Sequence, residues 1–193
     1  MHYEAFEVRT ERFGSYLGVP FAPSHPYELD GEEGVWFGRG DQFHLYHVAL
    51  DGDTLREIML QAEPTPVTQA ELNEWLESEF VQQFRDRGGK IDVDRIPTVK
   101  PYFDGLALDP EGNLWVSTPS AADEIRFVVF DSTGRYLGPV GFEGAERVGW
   151  ISPVLANGRL YVVTRDELDV NRVRAFRIEK DFERLESASG DER

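Results

Sequence analysis

Apolar and polar residues alternate through most of this chain in short runs punctuated by Asp and Gly, a pattern that predicts strands joined by tight turns. His44-Leu45-Tyr46-His47-Val48-Ala49-Leu50 runs into Asp51-Gly52 and then Thr54-Leu55-Arg56-Glu57-Ile58. Arg126-Phe127-Val128-Val129-Phe130 passes in the same way through Asp131-Ser132-Thr133-Gly134 into Arg135-Tyr136-Leu137-Gly138. Asp and Gly supply the turn chemistry at both places. Near the start, Phe6-Glu7-Val8-Arg9 precedes Gly14-Ser15-Tyr16-Leu17-Gly18, which echoes Gly134-Arg135-Tyr136-Leu137-Gly138.

The pattern repeats at a longer scale. Leu108-Asp109-Pro110-Glu111-Gly112-Asn113-Leu114-Trp115-Val116 aligns with Leu29-Asp30-Gly31-Glu32-Glu33-Gly34-Val35-Trp36-Phe37. A looser third copy is Val154-Leu155-Ala156-Asn157-Gly158-Arg159-Leu160-Tyr161-Val162. Each copy is a strand, a polar glycine turn and a second strand with an aromatic at one fixed place. With the hairpins above, the unit becomes four strands in antiparallel meander order, and the step from Trp115 to Tyr161, roughly 46 residues, suits a four-stranded propeller blade. Complete units are expected at about 26–60 and 101–142. The chain opens with the last two strands of a unit, around 5–21, and closes on three strands ending near 172–179. Trp36, Trp115 and Tyr161, on the second strands, are expected to pack between units.

One segment departs from the strand period. Pro66-Val67-Thr68-Gln69-Ala70-Glu71 predicts the start of a single helix, inserted over 67–88, with Thr68 and Glu71 as a capping box and Val67 stapled onto Leu72. Leu72, Trp75, Leu76, Phe80 and Phe84 recur on one helical face, and Gly88-Gly89 stops it. Such a helix is expected to bury its stripe against one end of the sheet stack; the functional alternative is a lid over a central pocket.

Composition narrows the partners. At 193 residues, 40% hydrophobic and 12% aromatic, the chain is long enough for one folded domain with a real core. A formal charge of −16 argues against a nucleic-acid groove, which needs clustered Lys and Arg, and against an anionic membrane surface. With no cysteine, disulfides and thiolate metal sites are excluded. Met1-His2-Tyr3-Glu4-Ala5-Phe6-Glu7 lacks the basic and apolar regions of a signal peptide, and no run reaches membrane-span length. The expectation is one domain over 1–185, followed by an acidic, frayed tail at 186–193.

The chain resembles a bacterial six-bladed β-propeller of the NHL/TolB-like kind. Pro101-Tyr102-Phe103-Asp104-Gly105-Leu106-Ala107-Leu108-Asp109 and Gly112-Asn113-Leu114-Trp115-Val116 carry the likeness best, with Asp131-Ser132-Thr133-Gly134 and Arg165-Asp166-Glu167-Leu168-Asp169-Val170 beside them. The resemblance implies an all-β partial β-propeller of about three four-stranded antiparallel blades with one inserted α-helix. A complete ring needs about twice this length, so the chain resembles the C-terminal half of one. It is then a truncated fragment, a stable open arc, or one of two copies closing a six-bladed ring as a homodimer. The resemblance also implies a bacterial periplasmic or exported protein, although the chain shows no signal peptide, and the compartment stays unknown.

In such a propeller, ligands meet the rim formed by the connections into each first strand and out of each second strand. Setting the units in register places His25, Asp104 and Trp150 where the first strands begin. Arg39, Thr118 and Thr164 follow the second strands, with Asp41, Ser120 and Asp166 next and Arg165 alongside. His25, Arg39, Asp41, Asp104, Trp150, Arg165 and Asp166 are therefore the candidate ligand-binding residues, for an unknown small molecule or protein; the plainer role for each is satisfying loop backbone. His44 and His47, three apart on a strand, point to opposite faces and do not form a metal pair. Asp30, Glu32 and Glu33, like Asp109 and Glu111, recur in the turns of the repeat, which favours turn formation over calcium. Asp92-Val93-Asp94 reads as a solvated loop. No nucleophile elbow, HExxH, P-loop or dinucleotide fingerprint occurs.

No catalytic residue, metal site or cofactor is assigned. The leading expectation is a non-enzymatic binding module of unknown specificity. The alternative is a fragment of a lactonase-like propeller hydrolase or lyase with a channel metal, for which the inner strands offer Glu28 and Asp104 but otherwise mostly Leu, Ala and Val. A third possibility is a half propeller that folds only with its missing blades.

Overall fold

The computed structural model describes residues 5–9, 14–31, 33–120, 124–143, 146–148, 153–166, 168 and 170–178. Trp150, the tail at 186–193 and any fourth strand of the last unit lie outside the described residues. The described chain is mostly β, with four antiparallel sheets and two helices. A hairpin of β1 (Phe6–Arg9) and β2 (Gly14–Leu17) comes first. The front sheet is a meander of β3 (Tyr27–Asp30), β4 (Gly34–Arg39), β5 (His44–Ala49) and β6 (Thr54–Met59). The middle sheet repeats it with β7 (Gly105–Leu108), β8 (Leu114–Thr118), β9 (Glu124–Phe130) and β10 (Tyr136–Glu143). Both sheets fall close to the bounds that the sequence repeat predicts.

The back sheet is built differently. β11 (Glu146–Arg147) and β12 (Val154–Ala156) pair with the same edge of β13 (Arg159–Arg165), and β14 (Asn171–Arg177) takes the other edge. β11 pairs along β13 as far as the Val148 N–H, which donates to the Val163 carbonyl, and β12 pairs from Val154 opposite Tyr161.

The alternating pattern explains how the three sheets stack. Trp36, Leu45 and Ile58 of the front sheet meet Leu106, Leu114, Val116 and Phe130 of the middle one. Ala107, Trp115, Phe127 and Val129, one step out of phase on the same middle strands, meet Leu155, Leu160 and Val162 of the back sheet. Both faces of the middle sheet are therefore buried, and each fully buried large apolar side chain contributes about 1.5–3 kcal/mol. β3 lies against β7 and β7 against β12, so the first strands line one side of the stack.

The helical segment corrects the sequence expectation in two ways. It forms two helices, α1 (Gln69–Glu77) and α2 (Glu79–Asp86), broken at Ser78, whose backbone is extended at φ −60°, ψ 150°. The Thr68–Glu71 capping box is present, and Glu71 also pairs with Lys100 Nζ at 2.5 Å. Burial would raise the Glu71 pKa, but Lys100 and the Thr68 hydrogen bonds outweigh it and hold the carboxyl below its ordinary value. The break re-phases the apolar stripe: Val81 and Phe84 are buried, whereas Phe80 is 77% exposed. The stripe packs against the β1–β2 hairpin, in a cluster of Phe6, Phe84 and Ile96 flanked by Trp75 and Leu72, instead of against the sheet stack.

Candidate functional site

Antiparallel pairing brings the start of each first strand and the end of each second strand to one end of the stack. Gly38 N–H donates to the Pro26 carbonyl (3.3 Å) and Gly40 N–H to Ser24 (3.1 Å), which sets His25 across from Arg39. Asp104 N–H donates to the Ser117 carbonyl (3.1 Å), which places Asp104 beside the end of β8. The two sheets are tied at this end by Tyr102 N–H donating to the Gly40 carbonyl at 2.8 Å. Gly40 is required there, because a Cβ would stand 2.6 Å from the Phe103 carbonyl oxygen and 2.9 Å from Pro101 Cβ.

The tie creates a cleft of about 380 Å³ between the β4–β5 connection, the chain leaving β6 and Tyr102. Asp41, Gln42, Phe43 and His44 form one wall, and Met59, Leu60, Gln61 and Ala62 the other. The volume is within the range of small-molecule sites. Its charges are already paired. Arg39 Nη2 donates to Asp41 Oδ2 at 2.5 Å. Tyr46 O–H donates to His44 Nδ1 (3.2 Å), while His44 Nε2 donates to Glu57 Oε1 (2.5 Å), so both ring nitrogens of His44 are occupied. What the cleft offers a ligand is therefore the two Gln carboxamides, each both donor and acceptor, and the Tyr102 and Met59 side chains.

Of the residues singled out from sequence, Arg39 and Asp41 form the ion pair beside the cleft, and Asp41 lines it. His25 and Asp104 share that end of the stack without lining the cleft. Arg165 and Asp166 belong to the back sheet, at the end of β13 and just after it. Asp166 there serves the turn: its Oδ1 accepts from the Leu168 N–H (3.0 Å) and the Val170 N–H (2.9 Å), and its Oδ2 from Arg172 Nε (2.9 Å). The Val170 N–H, followed by Arg172, holds the Asp166 carboxyl below its ordinary pKa.

The same device recurs. Asp131 Oδ1 accepts from the Thr133 hydroxyl, the Arg135 N–H and the Thr133 N–H, and these bonds, the hydroxyl's first, hold its carboxyl down at about 2. Asp109 Oδ1 accepts from the Glu111 and Asn113 N–H groups, and its Oδ2 from Asn113 Nδ2 (2.8 Å) and the buried Trp115 indole (3.1 Å). Asp109, Asp131 and Asp166 are thus turn locks. Among the described residues, no three His, Asp or Glu side chains converge as a metal site requires.

No family model matches the chain, and no curated protein does.

A second polar group lies between the front and middle sheets. His47, fully buried, stacks on Trp36 with ring centroids 4.5 Å apart and planes 6° from parallel. Its Nδ1 accepts from Arg56 at 3.5 Å, and its Nε2 stands 3.2 Å from Asp30 Oδ2 without hydrogen-bond alignment. Burial lowers the His47 pKa; the Asp30 charge opposes this and the Arg56 charge reinforces it. Glu28, next along this row, has its pKa raised by burial even though the Leu108 backbone hydrogen bond favours the charged form. His44 and His47 face opposite sides of β5, so they share no ligand. Within the cleft, His44 opens a strand of the repeat and Tyr102 lies at the entry to its second complete copy, whereas Gln61 follows the end of the first; its one sequence signal is the break in strand pattern after residue 60.

Proposed function

We propose that this chain is a non-enzymatic binding module, a partial propeller of the NHL/TolB-like kind. Its cleft at the strand-exit end takes a small, uncharged polar molecule or the tip of a protein loop. The observation that carries the reading is the state of the cleft's ionisable groups. Arg39 is paired with Asp41, and His44 has one nitrogen on Tyr46 and the other on Glu57. With the Arg39 guanidinium on Asp41 and both His44 nitrogens engaged within the protein, the charges of this wall face one another, which favours a neutral ligand over an ionic one. The Gln42 and Gln61 carboxamides then supply directional hydrogen bonds, with Tyr102 and Met59 as apolar contact.

Support for the propeller reading comes from three stacked sheets, two of them four-stranded meanders, whose first strands line one side. The test is ligand-observed NMR with a panel of small amides, sugars and dipeptides on the wild type and on a Gln61→Ala/Tyr102→Ala variant. Binding by the wild type that the variant loses is expected. Binding unaltered by the variant would place the site elsewhere. Stoichiometric calcium or zinc retained through dialysis would instead favour a metal-dependent hydrolase or lyase.

A further inference from the structure

Across the stack, the second strand of each sheet presents an aromatic to the sheet that follows it. Trp36 is 3% exposed against the middle sheet, and Trp115 is 2% exposed against the back sheet. The receiving surface is also built to one plan. A leucine on the first strand pairs with an apolar residue on the second: Leu108 with Leu114 in the middle sheet, and Leu155 with Leu160 in the back sheet. Leu114 and Leu160 are buried by the sheet in front.

Each end of the stack holds one unmatched half of this arrangement. In the back sheet, Tyr161 occupies the aromatic position. Because Leu160 and Val162 point inward, alternation directs Tyr161 outward, on the same side as Val173, which is 73% exposed. In the front sheet the receiving pair is Leu29 and Val35, and Leu29 is 64% exposed. Tyr27, equivalent to the buried Leu106, is 69% exposed. Large apolar side chains grouped this way on an open sheet face mark an interaction surface.

We infer that the occupant of each face is the other face of a second copy. The back sheet of one molecule docks head to tail on the front sheet of its partner, and a second identical contact closes a symmetric dimer. Charge selects this pairing. Residues 153–178 carry five arginines against three acids, whereas residues 27–59 carry eight acids against two arginines, in a chain of net charge −16. The charges also fall at matching ends of the strands. Arg159 and Arg177 are cross-strand neighbours at the turn end of the back sheet; Arg159 additionally borders a small cavity against the middle sheet. Glu33, Asp51 and Asp53 occupy the turns at the same end of the front sheet, and all five side chains are exposed. Stacking the partner as the middle sheet stacks on the front one, first strand on first strand, brings the arginines toward those carboxylates. The inference does not depend on what the cleft binds.

Sedimentation velocity over a wide concentration range, with the full chain, tests the pairing. The wild type is expected to pass from monomer to a limiting dimer. Arg159→Glu/Arg177→Glu and Asp51→Arg/Asp53→Arg should each lose the dimer while keeping wild-type circular dichroism, because all four positions are exposed. An equimolar mixture of the two variants should recover it, since one interface is then doubly reversed and the other is wild type. A wild type that stays monomeric at every concentration overturns the inference. So does a dimer untouched by either variant, a mixture that stays monomeric, or growth beyond the dimer without limit.

Discussion

Replacing Asp109 by alanine removes an acceptor that serves four donors at once. Two are backbone N–H groups, of Glu111 and Asn113; one is the Asn113 side chain; the fourth is the indole N–H of Trp115, a residue only 2% exposed. The first three are part-buried, in a turn bordering a small cavity from which water can partly replace the carboxylate, so together they cost about 1–2 kcal/mol. The indole has no such recourse, and an unsatisfied buried donor adds about 1–3 kcal/mol. Asp109→Ala is therefore expected to destabilise by about 2–5 kcal/mol. Asp131→Ala breaks a turn with the same backbone bonds but only exposed donors, and should cost about 1 kcal/mol. Equilibrium urea unfolding of both variants, followed by circular dichroism, gives the comparison. Trp115→Phe completes a double-mutant cycle: with the indole N–H removed, the loss of Asp109 should cost less than in the wild type. Equal losses from Asp109→Ala and Asp131→Ala, or strict additivity with Trp115→Phe, would refute the indole lock.

Two pH effects follow with opposite chemistry but the same direction. The folded Asp131 carboxyl is held down at about 2, so its stabilisation is complete above the ordinary carboxylate pKa and is lost as pH falls toward 2; Asp131→Asn should flatten that part of the stability–pH curve. His47 is a base with a lowered folded pKa, so the unfolded chain takes up its proton first. Stability should decline as pH drops below the ordinary histidine value near 6.5, a decline that His47→Gln should remove in the same urea titrations. In the helical segment, Phe84→Ala should cost about 3–4 kcal/mol and Phe80→Ala under about 0.5 kcal/mol by thermal or urea unfolding. Equal losses would mean that the break at Ser78 does not exist in solution.

The strands of the front and middle sheets were legible because alternation and Asp–Gly turns are local signals, and each hairpin carries both. The turn at Asp166 was legible in the same terms, but its position after a second strand made it read as a rim residue when its carboxylate is committed to Leu168, Val170 and Arg172. The break at Ser78 was not legible. Leu72, Trp75, Leu76 and Phe80 keep helical spacing through it, and only the tertiary partner decides that Phe80 leaves the stripe. That partner, the β1–β2 hairpin, is more than fifty residues away in sequence. The cleft escaped for a related reason. Asp41 was placed at this end by register, but Gln61 lies outside the repeat, and it meets Tyr102 of the second copy only in the fold that the Tyr102–Gly40 hydrogen bond closes. The pairing of β11 with β13 likewise has no sequence signature, since Glu146-Arg147 carries no alternation to read.

The claim at the centre of this account is that binding occurs in the cleft between the β4–β5 connection, the exit of β6 and Tyr102. Chemical-shift mapping on the ¹⁵N-labelled full chain, with the small amides, sugars and dipeptides of the binding panel as probes, addresses it directly. The account predicts saturable shifts confined to residues 41–44, 59–62 and 102. Saturable shifts centred elsewhere, with those residues unmoved, would contradict it.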